Sequence, residues 1–351
     1  MAPKRKPLRA AVIGTGMGRY HMQAYVRHPR VDLVAVCDLN ETEAKEFAQQ
    51  FGAEFAFADY REMLQNVELD VLSVCVPNHL HAAMTIAGLQ AGCHVLCEKP
   101  MATRLRDAER MVETAAARGK RLMINMSQRF DPLRRTLRDL VRSGKLGKVY
   151  YAKSGWIRRK GTPVLDFPPG GNMGRGAWFV DKRQAGGGAL MDIGVHIYDL
   201  CWWIMGRPEP VTVLASEYNE LSLPRFRERR VFADVEDLAS ALIKFADGST
   251  LFCEVSWDAH MEPGQYLEIF GTEGGIQWRG EARLYYDSRG KPTSRQIKPR
   301  RTTQETPYEH FVAACLNPKR RMMCSGQECL SVMRVLDAID RSANTGKAVR
   351  V

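Results

Sequence analysis

The first third of the chain alternates two hydrophobic patterns. Short, almost unbroken apolar runs at Leu8–Ile13, Val31–Cys37, 71–76, His94–Cys97 and 122–126 read as strands. Between them, 17–27, Glu41–Phe51, 79–91 and 107–117 repeat apolar residues at helical spacing. Strands that are apolar on both faces need cover on both faces, so the pattern predicts a parallel sheet with helices on each side.

After residue 130 the texture changes. A helix follows Asp131-Pro132, and Val149–Ile157 alternates like a strand. Residues 161–176 form a Gly/Pro-rich loop long enough to suggest a functional role. A helical stretch at 190–205 precedes strand-period runs at Leu238–Phe245, 250–257, 266–271 and 276–278, with Asp247-Gly248 and Gly274-Gly275 as hairpin turns. Helical patterns at 308–315 and 327–342 complete the reading. A chain of 351 residues exceeds one ordinary core. The pattern therefore predicts a doubly wound α/β domain over 1–128 and a second α/β domain, with a mixed or antiparallel sheet, over 129–351.

Composition narrows the class. At 45% hydrophobic and 26% charged residues, the chain reads as a soluble globular protein. No apolar run approaches the roughly 20 residues of a membrane span. Leu200-Cys201-Trp202-Trp203-Ile204-Met205 is too short, and Gly206 stops it. Lys4-Arg5-Lys6 before Leu8–Ile13 has the charge order of a signal peptide, but its apolar part is brief and runs into Gly14-Thr15-Gly16. It reads as a loose basic tail on a first strand. Nine cysteines show no paired metal spacing, and His79 and His81 lack a nearby Cys or carboxylate set, so neither a metal site nor a disulfide framework is expected. That usage fits a cytoplasmic protein. The net charge of +11 comes from scattered clusters such as Arg158-Arg159-Lys160, Arg225/Arg227/Arg229/Arg230, Arg300-Arg301 and Lys319-Arg320-Arg321. They carry no nucleic-acid motif and read as solvated faces, contacts to a cofactor pyrophosphate or contacts between subunits, with an anionic substrate as the alternative.

The turn Gly14-Thr15-Gly16-Met17-Gly18 stands between the first strand and the first helix. Glycines there let backbone approach a pyrophosphate, and the helix N-terminus supplies amides and partial positive charge. The usual G-x-G-x-x-G/A spacing is not met, because Arg19 takes the third position and Gly18 comes one residue early. Asp38 ends the strand at the distance where an acidic side chain holds the adenosine ribose hydroxyls. Its structural alternative is a cap for the helix at Glu41, a role that Asn40 suits better. A carboxylate there repels a 2′-phosphate, and Leu39-Asn40-Glu41 brings no arginine, so NAD is expected and NADP is disfavoured.

Asp192 and His196 stand four residues apart in Gly187-Gly188-Ala189-Leu190-Met191-Asp192-Ile193-Gly194-Val195-His196, and Glu98-Lys99-Pro100 closes the run Val95-Leu96-Cys97. A carboxylate, an imidazole and an amine in apolar surroundings are the groups needed to take a proton from an alcohol. These pieces, with the glycine turn ending in His21, Cys75-Val76-Pro77-Asn78-His79-Leu80-His81 and Ser127-Gln128-Arg129-Phe130, resemble the Gfo/Idh/MocA oxidoreductase family from residue 8 onward.

The resemblance implies a Rossmann domain followed by an α/β domain with a large, open, mostly antiparallel sheet that commonly builds homodimers or homotetramers. It implies that Pro77, Asn78 and His81 line the nicotinamide ribose side of the cleft, with Glu98 on the ribose and a cis peptide at Lys99–Pro100. Ser127 falls where relatives often contact nicotinamide or substrate, and Trp178-Phe179 where they reach the cofactor from the second domain; Tyr308 is a further candidate. Each has a plainer alternative: His81 as a helix-face residue, Asn78 as a helix cap, Trp178 as core packing, Glu98 and Lys99 as a surface ion pair, Asp192 and His196 as a pair decorating one helical face.

The expected activity is reversible hydride transfer between NAD and a secondary hydroxyl of a sugar, inositol or related polyol. His196 is expected to act as general base, Asp192 to orient it or hold a neighbouring substrate hydroxyl, and Lys99 to donate to the reacting oxygen. An NAD-dependent glycosidase working by transient oxidation and elimination is the alternative enzyme. A nucleotide-sensing regulator without catalysis is the alternative class, and Lys99, Asp192 and His196 together count against it.

Overall fold

The computed structural model describes residues 6–163, 174–300 and 305–351. Most of the predicted Gly/Pro-rich loop, 164–173, lies outside them, as do Lys4 and Arg5 of the basic tail. The chain divides into two compact units, one running up to Met126 and including Glu305–Ser331, the other made of Ser127–Gln304 and Val332–Val351.

In the first unit, among the described residues, six strands form one sheet: β1 (Leu8–Ile13), β2 (Val31–Cys37), β3 (Phe55–Phe57), β4 (Val71–Val74), β5 (His94–Cys97) and β6 (Leu122–Ile124). Every pairing is parallel and the order is β3-β2-β1-β4-β5-β6. Helices α1 (Gly18–Arg27), α2 (Glu41–Phe51), α3 (Tyr60–Asn66), α4 (Asn78–Gln90) and α5 (Leu105–Ala117) connect the strands. Ala10, Ala11, Val12, Val36, Val71 and Leu72 have no exposed surface, as strands covered on both faces require. The strand order reverses between β1 and β4. Ligands of open α/β sheets bind at such a switch point, beyond the carboxyl ends of the strands. The turns after β1, β4 and β5 carry the glycine turn, Pro77-Asn78 and Glu98-Lys99-Pro100.

The second unit opens with a 3₁₀ turn (Ser127–Phe130), α6 (Pro132–Arg142) and β7 (Val149–Ile157). A second 3₁₀ segment (Gly174–Val180) leads to α7 (Lys182–Ala185), a π turn (Leu190–Gly194) and α8 (Val195–Ile204). There follow β8 (Pro210–Tyr218), α9 (Ser222–Glu228), β9 (Leu238–Phe245), β10 (Thr250–Ser256), β11 (Gly264–Gly271), β12 (Gly274–Arg279), β13 (Glu281–Ser288) and β14 (Lys291–Gln296). Later in the chain come α10 (Pro307–Leu316), which belongs to the first unit, α11 (Gly326–Thr345), which is divided between the units after Ser331, and β15 (Val349–Arg350) of the second. The sheet runs β14-β13-β12-β11-β7-β10-β9-β8-β15 and is antiparallel except where β10 lies parallel to β7.

Register separates its faces. Val213, Ile243, Leu251, Ala152, Ile269, Ile276 and Leu284 lie in one cross-strand row and are all buried. The adjacent row, Leu214, Leu242 and Phe252, points the other way, and Leu214 and Leu242 are exposed.

The structure departs from the pattern in several places. Gly274 and Gly275 lie inside β12, and the chain reverses at Thr272 and Glu273 instead. The glycines answer to crowding: a Cβ on Gly274 would come 2.9 Å from the Tyr285 carbonyl oxygen, and one on Gly275 3.1 Å from that of Ile269. Strands β3, β8, β13, β14 and β15 have no counterpart in the predicted runs. β14, with Lys291-Pro292, is a mostly exposed polar edge, where proline is tolerated and hydrophobic alternation is weak. The single helix expected over 190–205 starts as the π turn before α8.

Candidate active site

The glycine turn shows which glycines the fold demands. Gly14 has φ +91°, and a Cβ there would fall 2.2 Å from the Cys75 carbonyl oxygen. At Gly18 a Cβ would meet Val12 Cγ1 at 2.8 Å, so this residue, one place early, serves the close helix–strand packing. Gly16 faces open space. Helix α1 begins at Gly18 after Met17, with no side-chain cap and no acidic residue in its first turn. An open glycine position and uncapped amides at a helix start fit a pyrophosphate.

Thr15 is buried, and its amide and hydroxyl both lie 2.8 Å from Asp38 Oδ2. The hydroxyl also lies 3.0 Å from Glu43 Oε2. Asn40 caps α2 by accepting from the Glu43 amide, leaving Asp38 turned to the glycine turn. Two carboxylates thus stand at this edge, and Glu43 was not among the expected residues.

Beneath Lys99 lies a buried polar cluster. His21 Nε2 is 2.9 Å from Glu98 Oε1, and Asn125 Nδ2 donates to the same oxygen at 2.6 Å. His21 Nδ1 is 2.9 Å from the Ser73 hydroxyl, which contacts the Tyr25 hydroxyl at 2.7 Å. Burial alone pushes the Glu98 carboxyl up, but the hydrogen bonds from His21 and Asn125 and the charge of Lys99 outweigh it and hold the group at about 2. The peptide Lys99–Pro100 is cis, as the resemblance implied. Tyr308 stands in the first turn of α10, behind the Thr306–Glu309 capping box. Its ring meets His21 edge-on at 4.7 Å, and burial raises its hydroxyl pKa.

Asn78 is the first residue of α4, with Pro77 at the N-cap. His81 is buried, with Nδ1 2.7 Å from the Pro100 carbonyl and Nε2 2.8 Å from that of Val76. Burial lowers its pKa against the pull of those carbonyls. Its visible work is to tie the start of α4 to the turn that holds Lys99.

In the second unit, residues 187–204 are buried with two exceptions, Asp192 and His196. Asp192 Oδ2 accepts from Trp257 Nε1 at 3.0 Å and lies 3.5 Å from Arg158 Nη1. The His196 ring is 6.3 Å from that of Trp156, and the Arg158 guanidinium lies 4.9 Å over the same indole. Two indoles, a guanidinium, a carboxylate and an imidazole so gather at the ends of β7 and β10. Arg158 belongs to this network and Arg225 is paired with Asp258, so neither is simply part of a solvated basic face. Trp178 and Phe179 stack at 3.9 Å, half-buried, and Ser127 is exposed.

Arg129 is fully buried and bidentate to Asp199 of α8, Nε at 2.9 Å and Nη2 at 2.5 Å. Sequence reasoning assigned nothing to Arg129, Asn125, Trp156, Trp257 or Glu43. Their partners lie far along the chain, where periodicity carries no signal. Among the described residues, no group of three or more His, Cys, Asp or Glu is placed to hold a metal ion, and no helix is long and apolar enough to cross a membrane.

Comparison with known proteins meets this geometry. The chain is 30% identical over 357 residues to the D-glucoside 3-dehydrogenase of Escherichia coli K12, covering 98% of each protein. It is 26% identical to a D-xylose 1-dehydrogenase (NADP(+)) of Haloferax volcanii, covering 97% of this chain and 98% of that one. The solved structure of GenD2 from gentamicin A biosynthesis, in complex with NAD, superposes with a TM-score of 0.79 at 27% identity, covering 100% of this chain and 99% of that one. Residues 8–126 match the oxidoreductase family with an NAD-binding Rossmann fold, and residues 134–277 match the C-terminal domain of the same family. The chain belongs to the Gfo/Idh/MocA family of oxidoreductases.

Proposed function

We propose that the protein is an NAD-dependent dehydrogenase of a sugar, glycoside, inositol or related polyol, oxidising one secondary hydroxyl reversibly. One observation carries the reading: along eighteen residues of chain, 187–204, all are buried except Asp192 and His196, which are partly exposed. Bound NAD would supply the hydride acceptor. The glycine turn and α1 amides hold its pyrophosphate, Asp38 its adenosine ribose, and Pro77, Asn78, His81, Glu98 and Tyr308 the nicotinamide side. Ser127, Trp178 and Phe179 contribute from the second unit. The His196 imidazole takes the hydroxyl proton, Asp192 fixes that ring or a neighbouring hydroxyl, and Lys99 Nζ donates to the reacting oxygen. The carboxylates of Asp38 and Glu43 favour NAD over NADP. Trp156, which is not fully buried, suits the C–H face of a pyranose.

We further propose a cytoplasmic homo-oligomer. No disulfide joins cysteines among the described residues, and the sheet of the second unit carries apolar side chains on its open face.

The test is a panel of methyl glucosides, free aldoses and myo-inositol with NAD, following reduced nicotinamide, beside an aryl glucoside whose aglycone is measured. NADH formation from at least one free sugar or glycoside is expected, and Lys99→Ala and His196→Ala should each lower kcat by about 10²–10⁴-fold. Aglycone release without net NADH would favour the redox glycosidase. NADH binding without turnover of any compound would revive the sensor.

A further inference from the structure

Glu236 lies in the loop before β9 and is buried. Its carboxylate grips one short stretch of backbone. Oε1 accepts from the amides of Gly188 and Leu190, both at 2.9 Å, and Oε2 lies 2.8 Å from the Gly188 nitrogen. The Glu236 carbonyl accepts from the Ala189 amide at 3.1 Å. Three consecutive amides therefore end on one residue, at the start of the turn that carries Asp192. The first amides of a helical turn have no partner within it, and here a remote side chain supplies one. The fit is close: a Cβ on Gly188 would fall 1.9 Å from the Glu236 carbonyl oxygen. This gives Gly188 a physical reason.

Around this carboxylate stand Glu217 from β8, Lys182 from α7 and Asp340 from α11, with Lys182 Nζ 2.6 Å from Asp340 Oδ1. Burial raises both glutamates, and Glu217 reaches about 8 under burial and the charges of Glu236 and Asp340. The amides of Gly188 and Leu190 favour the ionised form of Glu236.

We propose that Glu236 is a positioning residue: its carboxylate fixes the backbone of 188–190 and so sets where the following turn presents Asp192 and where α8 presents His196. This rests on the proton-handling role proposed above for that pair. A base displaced by about 1 Å from its proton can cost about 10²-fold in rate.

The experiment compares the parent with Glu236→Ala, Glu236→Gln, His196→Ala and the double variant Glu236→Ala/His196→Ala. Kinetics use the most active sugar of the panel, beside NADH titration and crystal structures of the two Glu236 variants. Glu236→Ala should lower kcat about 10–100-fold with NADH affinity within about twofold, and move the backbone of 188–192. Glu236→Gln should recover most of the rate and position, because one oxygen can still accept from both amides. In the His196→Ala background, loss of Glu236 should add less than about twofold. If Glu236→Ala does not fold, Glu236→Asp replaces it, since a carboxylate one methylene short cannot reach both amides. Parental rates in the Ala or Asp variant, a Gln variant as slow as Ala, or an unmoved 188–192 backbone would overturn the proposal. Parental turnover in His196→Ala, or a panel with no turnover, would overturn the catalytic assignment instead, and the crystal structures still decide the role of Glu236.

Discussion

At the scale of single residues, carboxylates decide the most. Asp38 and Glu43 converge on the Thr15 hydroxyl, and a 2′-phosphate there would meet two negative charges. Calorimetric titration should give tighter binding of NADH than of NADPH, with the gap narrowed in Asp38→Ala. Equal affinities in the parent would remove the cofactor assignment. Glu217 gives a second expectation. Its folded pKa of about 8 lies above the ordinary 4.5, so the folded state binds a proton that the unfolded chain releases. The associated stability is complete below pH 4.5 and is lost as pH rises to about 8. Glu217→Gln removes this dependence, and relative to the parent it should gain stability on the order of 1–4 kcal/mol between those limits. Urea unfolding at a series of pH values measures it, and parallel pH profiles for the two proteins would refute the burial argument.

At the scale of elements, the Arg129–Asp199 pair ties the 127–130 turn to α8. Both side chains are almost wholly buried, so removing one partner strands the other. Arg129→Met should cost about 3–5 kcal/mol in urea unfolding, and Arg129→Met/Asp199→Leu should recover much of that loss. A single variant as stable as the parent would contradict the accounting. The same scale shows what the sequence could reveal. Strands β1, β2 and β5 stand where apolar runs ended at turns, because both their faces are buried and the pattern has no competing reading. Asp247-Gly248 was legible as a turn for the same reason: Gly248 needs its φ of +83°. Gly274-Gly275 was not, since a glycine required by a neighbouring strand's carbonyl looks identical to one required by a turn. Asp192, His196 and Lys99 could be picked out by type and spacing. Glu236, Arg129 and Trp257 could not, because each earns its place through a partner tens of residues away.

At the scale of the whole molecule, the second sheet raises the question of what covers its open face. One side holds the buried row from Val213 to Leu284. The other carries Leu214 and Leu242 as cross-strand partners, with Phe252 next in the row. A neighbouring row adds Tyr151, Phe270 and Tyr285 through the pairings Tyr151↔Phe270 and Gly275↔Tyr285. Leu214 is 49% exposed, Leu242 37% and Tyr285 42%, so this is a contiguous apolar band rather than scattered single residues. Lys153, Lys244, Glu254 and Arg283 lie on the same face, giving it the polar margin of an interface. The homo-oligomer proposed above would cover this band with a second copy of the chain, through a two-fold contact. Light scattering and sedimentation at micromolar concentration should give the mass of two or more chains. Leu214→Lys/Leu242→Lys sets two ammonium groups side by side on adjacent strands, and a two-fold contact would double them. That variant should therefore sediment as a monomer while binding NADH within about twofold of the parent, because the nucleotide-binding turn is untouched. A monomeric parent would refute the assembly, and an oligomeric double-lysine variant would move the contact to another surface.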